Sequence, residues 1–202
     1  MTGITGGIGS GKSTIAKALI ERGYTVYDCD KEAKRIIAEN EEVRQAIIGL
    51  LGEESFVEST KSGLEGGKVY NTAFVAKQVF AKPELLEKLN RIVHPEVKKD
   101  ILNKQPEFIE SAILYEAGLA DLCEKVIVVE APEEVRIART IARDYKGEAT
   151  PDNIHKVRAR IRCQQSAIRC QHSELSRQPS AISIQNDGKR SIDELAEEIL
   201  NG

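Results

Sequence analysis

The sequence predicts an α/β fold built on a parallel sheet, and three observations carry that expectation. Short β-branched runs alternate with helical stretches along most of the 202 residues, the order that gives parallel strands joined by crossover helices. Lys125 to Glu130 reads Lys-Val-Ile-Val-Val-Glu, an apolar run suited to a central strand covered on both faces. Gly6 to Ser13 reads Gly-Gly-Ile-Gly-Ser-Gly-Lys-Ser, a glycine-rich turn between a strand-like run and a helix-like one.

The elements follow in order. Thr2 to Thr5 is a short buried strand, and Thr14 to Ile20 belongs to the first helix. Gly23 caps that helix, and Tyr24 to Tyr27 is a second strand ending in Asp28-Cys29-Asp30. Helices are expected over Lys31 to Glu39 and Glu42 to Leu51, and a polar, glycine-bearing loop over Gly52 to Gly67. Two more helices are expected, one from Asn71 to Ala81 and one from Pro83 to Asn103. Pro95 is expected to end or kink the second of these. Phe108 to Leu114 reads as a strand, Pro132 to Arg143 as a helix, Asp144 to Pro151 as a polar break, and the region from Asp152 as a basic helix. Ala181 to Ile184 is the last strand, and Ser191 caps a final helix through Leu200. Lys31 to Asn103 therefore reads as an all-helical insertion beside the sheet.

The run Gly6 to Ser13 fills every fixed position of G-x-x-x-x-G-K-[ST] in a strand–loop–helix context, which makes it a phosphate-binding loop. Glycines let backbone N–H groups turn toward the phosphates, and the helix N-terminus adds positive potential. Gly7, Ile8, Gly9, Ser10, Gly11, Lys12, Ser13 and Thr14 are the candidate nucleotide contacts. Lys12 reaches the β- and γ-phosphates in this arrangement, and the Ser13 hydroxyl sits on Mg²⁺. ATP and Mg²⁺ are the expected cofactors.

Composition narrows the class. Charged residues are 30% and the net charge is −3, with a pI of about 5.8. That balance argues against bulk nucleic-acid binding and against a polybasic membrane patch. No apolar run approaches the roughly 20 residues of a membrane span. No secretory signal is read ahead of the phosphate loop, although the short first strand leaves room for a trimmed N-terminus. Cys29, Cys123, Cys163 and Cys170 lack C-x-x-C spacing and read as free thiols of a reducing cytosol, with a zinc site the lesser alternative. No Asn-Lys-x-Asp guanine motif is present, so a GTPase is not expected.

A phosphate loop specifies the donor, not the acceptor. Asp28 and Asp30 stand at the end of the second strand, the sheet edge where ligands bind in open α/β folds. A carboxylate there can orient or deprotonate an attacking hydroxyl; capping of the next helix is the plainer role. Glu116 follows the third strand on the same edge, and Glu110 lies inside that strand, where a buried carboxylate needs a partner. Arg136, Arg139, Arg143, Arg158, Arg160, Arg162 and Arg169 flank the polar break near Gly147. They suit a basic lid closing over ATP, and equally a solvated helix surface. Ile161-Arg162-Cys163-Gln164 recurs as Ile168-Arg169-Cys170-Gln171, which reads as one basic helix with a seven-residue repeat of face.

The combination resembles dephospho-coenzyme A kinases over essentially the whole chain. The residues that carry the resemblance are Thr5 to Ser13, Asp28-Cys29-Asp30, His94-Pro95, Leu114-Tyr115-Glu116-Ala117-Gly118-Leu119 and Asn186-Asp187-Gly188. The resemblance implies a P-loop nucleoside-kinase-like three-layer α/β fold with a helical substrate-binding insertion and a lid. It divides the chain into a nucleotide-binding core (1–30, 105–140 and 181–202), the insertion (31–104) and the lid with its flanking helices (141–172). It implies phosphorylation of the ribose 3′-hydroxyl of dephospho-coenzyme A by ATP, in the cytoplasm, by a monomer or small homo-oligomer. Asp30, Lys12 and Arg143 are then catalytic. His94, Leu114, Glu116, Arg160 and Gln164 join Asp30 at the substrate, and Asn186 and Gly188 lie near the adenine. Here Glu110 stands where the family has an aspartate, no proline precedes Ile113-Leu114, and Gln165 to Gln185 is rich in Ser and Gln. Gln164 and Gln171 compete for the family's glutamine. Another P-loop small-molecule kinase and a non-catalytic nucleotide sensor are the alternatives.

Overall fold

The structure, a computed structural model, describes residues 1–58, 68–172 and 180–201, without the side chains of 163, 165–172 and 180. Cys163, Cys170, Gln171 and most of the Ser/Gln-rich segment lie outside the described side chains. The described residues form two compact units, 1–28 with 105–202 and 29–104.

The first unit is built on a parallel sheet. Its strands are β1 (Thr2–Gly6), β2 (Val26–Asp28), β5 (Phe108–Glu110), β6 (Lys125–Glu130) and β7 (Ser180–Gln185), in the order β2-β5-β1-β6-β7. Every pairing is parallel. Helix α1 (Lys12–Glu21) and helix α8 (Ile192–Asn201) pack on one face. Ile15, Ala18 and Leu19 of α1 and Leu195, Ala196 and Ile199 of α8 meet Ile4, Ile127, Val129 and Ile184 of the strands. Gly23 adopts φ +92 just past α1, a conformation glycine enters without strain. Ser191 Oγ accepts the Glu194 N–H while Glu194 returns a carboxylate to the Ser191 N–H, a capping box that starts α8.

Helix α6 (Glu133–Asp144) and helix α7 (Pro151–His172) form an antiparallel hairpin. Ile137 and Ile141 interlock with Val157 and Ile161. Arg158 of α7 bonds Glu133 and Glu134 at the start of α6, a second tie between the two helices.

The second unit contains α2 (Cys29–Glu39), α3 (Glu41–Leu51), α4 (Thr72–Ala81) and α5 (Pro83–Lys104). Asn40 caps α3 and Asn71 caps α4 through their side-chain oxygens. Leu89, Val93, Val97 and Ile101 of α5 are buried at four-residue spacing, the stripe by which it packs on α2, α3 and α4.

Four expectations need correction. The stretch Gly52 to Gly67 is not all loop: β3 (Phe56–Glu58) pairs antiparallel with β4 (Lys68–Tyr70), and Phe56 packs on Tyr70 at 5.5 Å. The insertion is therefore not all-helical; 59–67 lie outside the described residues. Of the two outcomes expected at Pro95, an end or a kink, the end does not occur: α5 runs through it, and the apolar stripe continues on both sides. The strand from Phe108 stops at Glu110: Ser111 N–H donates to Ile4, and its hydroxyl accepts the Ile113 N–H, turning the chain. Finally, β2 ends at Asp28 and α2 begins at Cys29, so only Asp28 stands at the strand's end and Asp30 is helical.

Candidate active site

The phosphate loop follows from β1 entering α1. Gly6, Gly9 and Gly11 take φ values of +145, +74 and +100, a region L side chains rarely occupy. The loop thus bends back on itself and α1 begins with its first N–H groups at the loop's mouth. Lys12 is 8% exposed, and its ammonium donates to the Gly6 carbonyl at 2.8 Å and the Gly7 carbonyl at 3.4 Å. Its charge sits inside the loop, where a polyphosphate would take over those contacts. Ser13 and Thr14 are exposed on the first turn of α1.

Four side chains from distant segments hold the loop. Arg136 donates Nε to the Ile8 carbonyl at 2.8 Å. Gln164 of α7 accepts the Ile8 N–H at 2.7 Å. Asn186, 2% exposed, donates Nδ2 to the Ser10 carbonyl at 2.9 Å. Arg139 completes the set, reaching the Ser10 carbonyl at 3.2 Å and the Asn186 side-chain oxygen at 3.0 Å. Arg136 and Arg139 are only two of the seven arginines that flank the polar break near Gly147; helical spacing and an apolar counter-face on α6 are what aim them at the loop.

The other sequence candidates fall into two groups. In the first unit, Gly188 lies two residues past Asn186 at φ +87, exposed. Arg143 and Arg160 both bond Asp144, at 2.7 and 2.9 Å. The Arg143 hydrogen bond holds the Asp144 carboxyl below its ordinary range, and the same contact raises Arg143. Leu114 is fully buried, and a Cβ on Gly3 would meet it at 2.6 Å, so its side chain is a packing group. Glu116 is half-buried in the turn that follows. Glu110 ends β5 in register with Ile4 of β1 and Asp28 of β2, 8% exposed. In the second unit, Asp30 is exposed in the first turn of α2. His94 is half-buried on α5, and burial lowers its pKa from the ordinary 6.5.

Among the described residues, no group of three His, Cys, Asp or Glu side chains is placed to hold a metal. Cys29 and Cys123 are buried, and burial pushes the Cys123 thiol up to about 11. Among the described residues no helix is long and apolar enough to cross a membrane.

The family model and the curated relatives name one family. The family model of CoaE, dephospho-CoA kinase, matches residues 1–190. A dephospho-CoA kinase of Porphyromonas gingivalis is 43% identical over 154 residues, covering 73% of this chain and 72% of the relative. The crystal structure of TT1252 from Thermus thermophilus superposes with a TM-score of 0.71 at 29% identity, over 99% of this chain and 95% of that one. The dephospho-CoA kinase from Campylobacter jejuni shares the fold, with a TM-score of 0.60 at 22% identity over 99% and 94% of the two chains. With its phosphate loop intact and a match spanning both units, this chain belongs to the dephospho-CoA kinase family.

Proposed function

We propose that the protein transfers the γ-phosphoryl group of ATP to the ribose 3′-hydroxyl of dephospho-coenzyme A, giving coenzyme A and ADP in the last step of coenzyme A synthesis. The observation that carries this reading is the complete phosphate loop with the Lys12 ammonium folded into it, in a chain of this family. The 3′-oxygen attacks the γ-phosphorus, an O–P bond forms, and the bond to the β,γ-bridging oxygen breaks. The hydroxyl proton passes to Asp30, whose exposed carboxylate in the first turn of α2 is open to an acceptor. Loop N–H groups from Gly7 to Thr14 and the Lys12 charge receive the polyphosphate. Arg143 stabilises the charge of transfer once it leaves Asp144. His94, Glu116, Arg160 and Gln164 orient the acceptor, and Asn186 and Gly188 border the adenine.

Mg²⁺ suits the donor set: it keeps water and phosphate ligands and needs few from the protein, which matches an exposed Ser13 hydroxyl beside the loop with no carboxylate cage among the described residues. Bound there, it would neutralise phosphate charge. The proposed setting is the cytoplasm.

The test is ADP release from purified protein with Mg·ATP, with and without dephospho-coenzyme A, and mass spectrometry of the product. Acceptor-dependent ADP and a product heavier by one phosphoryl group support the reading. ADP release indifferent to the acceptor overturns it.

A further inference from the structure

Within G-x-x-x-x-G-K-[ST] the second and fourth positions are free, yet here both are glycine, Gly7 and Gly9. One residue of α6 crowds both, beyond the positive φ that already favours glycine at Gly9. A Cβ on Gly7 would lie 2.0 Å from Arg136 Nη2 and 2.6 Å from its guanidinium carbon. A Cβ on Gly9 would lie 2.5 Å from the Arg136 carbonyl oxygen and 2.9 Å from its Cα. The guanidinium occupies the space a side chain at Gly7 would fill, and the backbone of α6 occupies the space at Gly9. Thr140 Oγ1 donates to the Arg136 carbonyl at 2.7 Å and closes the contact.

The guanidinium is not placed for its own comfort. Arg136 is 5% exposed, and Nη2 is buried with no hydrogen-bond partner among the described residues. Burial lowers its pKa. A cation held this way is destabilising by itself, and an apolar side chain of similar volume often does better. Nη2 is closed off, so it does not reach a ligand in the open. Its Nε does reach the Ile8 carbonyl, on the peptide unit next to the one whose N–H Gln164 accepts. A cavity of about 360 Å³ bounded by Gly6, Gly7, Ser10, Pro132 and Arg136 adjoins this contact. Ser10 Oγ on its wall is buried and also has no partner among the described residues.

We propose that Arg136 is a positioning residue for ATP: it locks the Ile8 peptide so that the loop's N–H groups face the polyphosphate, and it sets a positive charge behind Gly7. This rests on the phosphoryl-transfer reading above. Arg136 acts through the loop, so it governs the donor and leaves the acceptor alone. Loss of a hydrogen bond from a charged donor and of the nearby charge corresponds to roughly tenfold weaker ATP binding.

The experiment compares the wild-type protein with Arg136→Met, Arg136→Gln and Arg136→Lys. Steady-state kinetics give KM for ATP and for dephospho-coenzyme A, calorimetry gives ATP affinity, and thermal melts give stability. The expected result for Arg136→Met is a KM for ATP raised about tenfold, an acceptor KM within about twofold, and a melting temperature unchanged or higher. Arg136→Lys keeps the charge and recovers part of the loss; Arg136→Gln keeps a donor for Ile8 and recovers another part. An unchanged KM for ATP in Arg136→Met overturns the proposal. So does a rise in both KM values together with a lowered melting temperature, which would make Arg136 a fold residue. Failure of the underlying reading looks different: the wild-type protein itself would show no acceptor-dependent turnover.

Discussion

The carboxamide oxygen of Gln164 accepts the backbone N–H of Ile8 at 2.7 Å. A residue expected at the acceptor thus touches the donor's loop, from the helix that returns from the α6–α7 turn. Replacing Gln164 with Leu should raise the KM for ATP about fivefold, the scale of one ordinary hydrogen bond, more than it raises the acceptor's. Separate titrations of the two substrates decide this, and a change confined to the acceptor would leave Gln164 with its acceptor role alone.

Asn186 bridges two segments that are far apart in sequence. It donates to the Ser10 carbonyl and accepts from Arg139 Nη2 at 3.0 Å while almost fully buried. Asn186→Ala strips both partners, and unmet buried groups cost about 1–3 kcal/mol. Urea unfolding should show that loss. Asn186→Asp keeps the acceptor for Arg139 but sets a second acceptor against the Ser10 carbonyl, and should fall between the two. A variant as stable as wild type would show the bridge to be idle.

Asp30→Asn removes the proton acceptor at near-constant shape. The expected outcome is a kcat lowered on the order of 10²-fold or more with ATP affinity retained, the range of general-base effects. Single-turnover rates together with equilibrium ATP binding measure the two separately. An unaltered kcat would take Asp30 out of the mechanism.

Burial lowers the pKa of His94, so the folded state takes up its proton less readily than the unfolded state. The stability it contributes is fully present above the unfolded value, near 6.5, and is lost as pH falls through the lowered folded value. Wild-type protein should therefore lose more stability than His94→Gln between about pH 7.5 and pH 5. Urea midpoints at those pH values give the comparison, and parallel slopes would contradict it.

Much of the fold was legible because it is local. The phosphate loop is one continuous segment whose glycines, lysine and serine carry their geometry in their spacing. Gly23 and Ser191 mark helix boundaries through their own backbone and hydroxyl chemistry. The apolar run Lys125 to Glu130 announces a central strand without reference to its neighbours. The β3–β4 pair was not legible, since its strands have only three residues each and border a polar, glycine-bearing stretch that reads as loop. Pro95 does not stop its helix because its missing N–H is a local deficit, whereas the stripe Leu89, Val93, Val97 and Ile101 packs along α5 on both sides of it.

The sequence by itself determined that the chain carries a phosphate loop on an α/β sheet, since that loop needs only adjacent residues. Tertiary structure alone decided what holds the loop. Seven arginines and two glutamines look alike in one dimension; only the pairing of β6 with β7 and the packing of α6 on α7 bring Arg136, Arg139, Gln164 and Asn186 to residues 8–10. Only that packing explains why Gly7 and Gly9, free by the motif, have no room for a side chain.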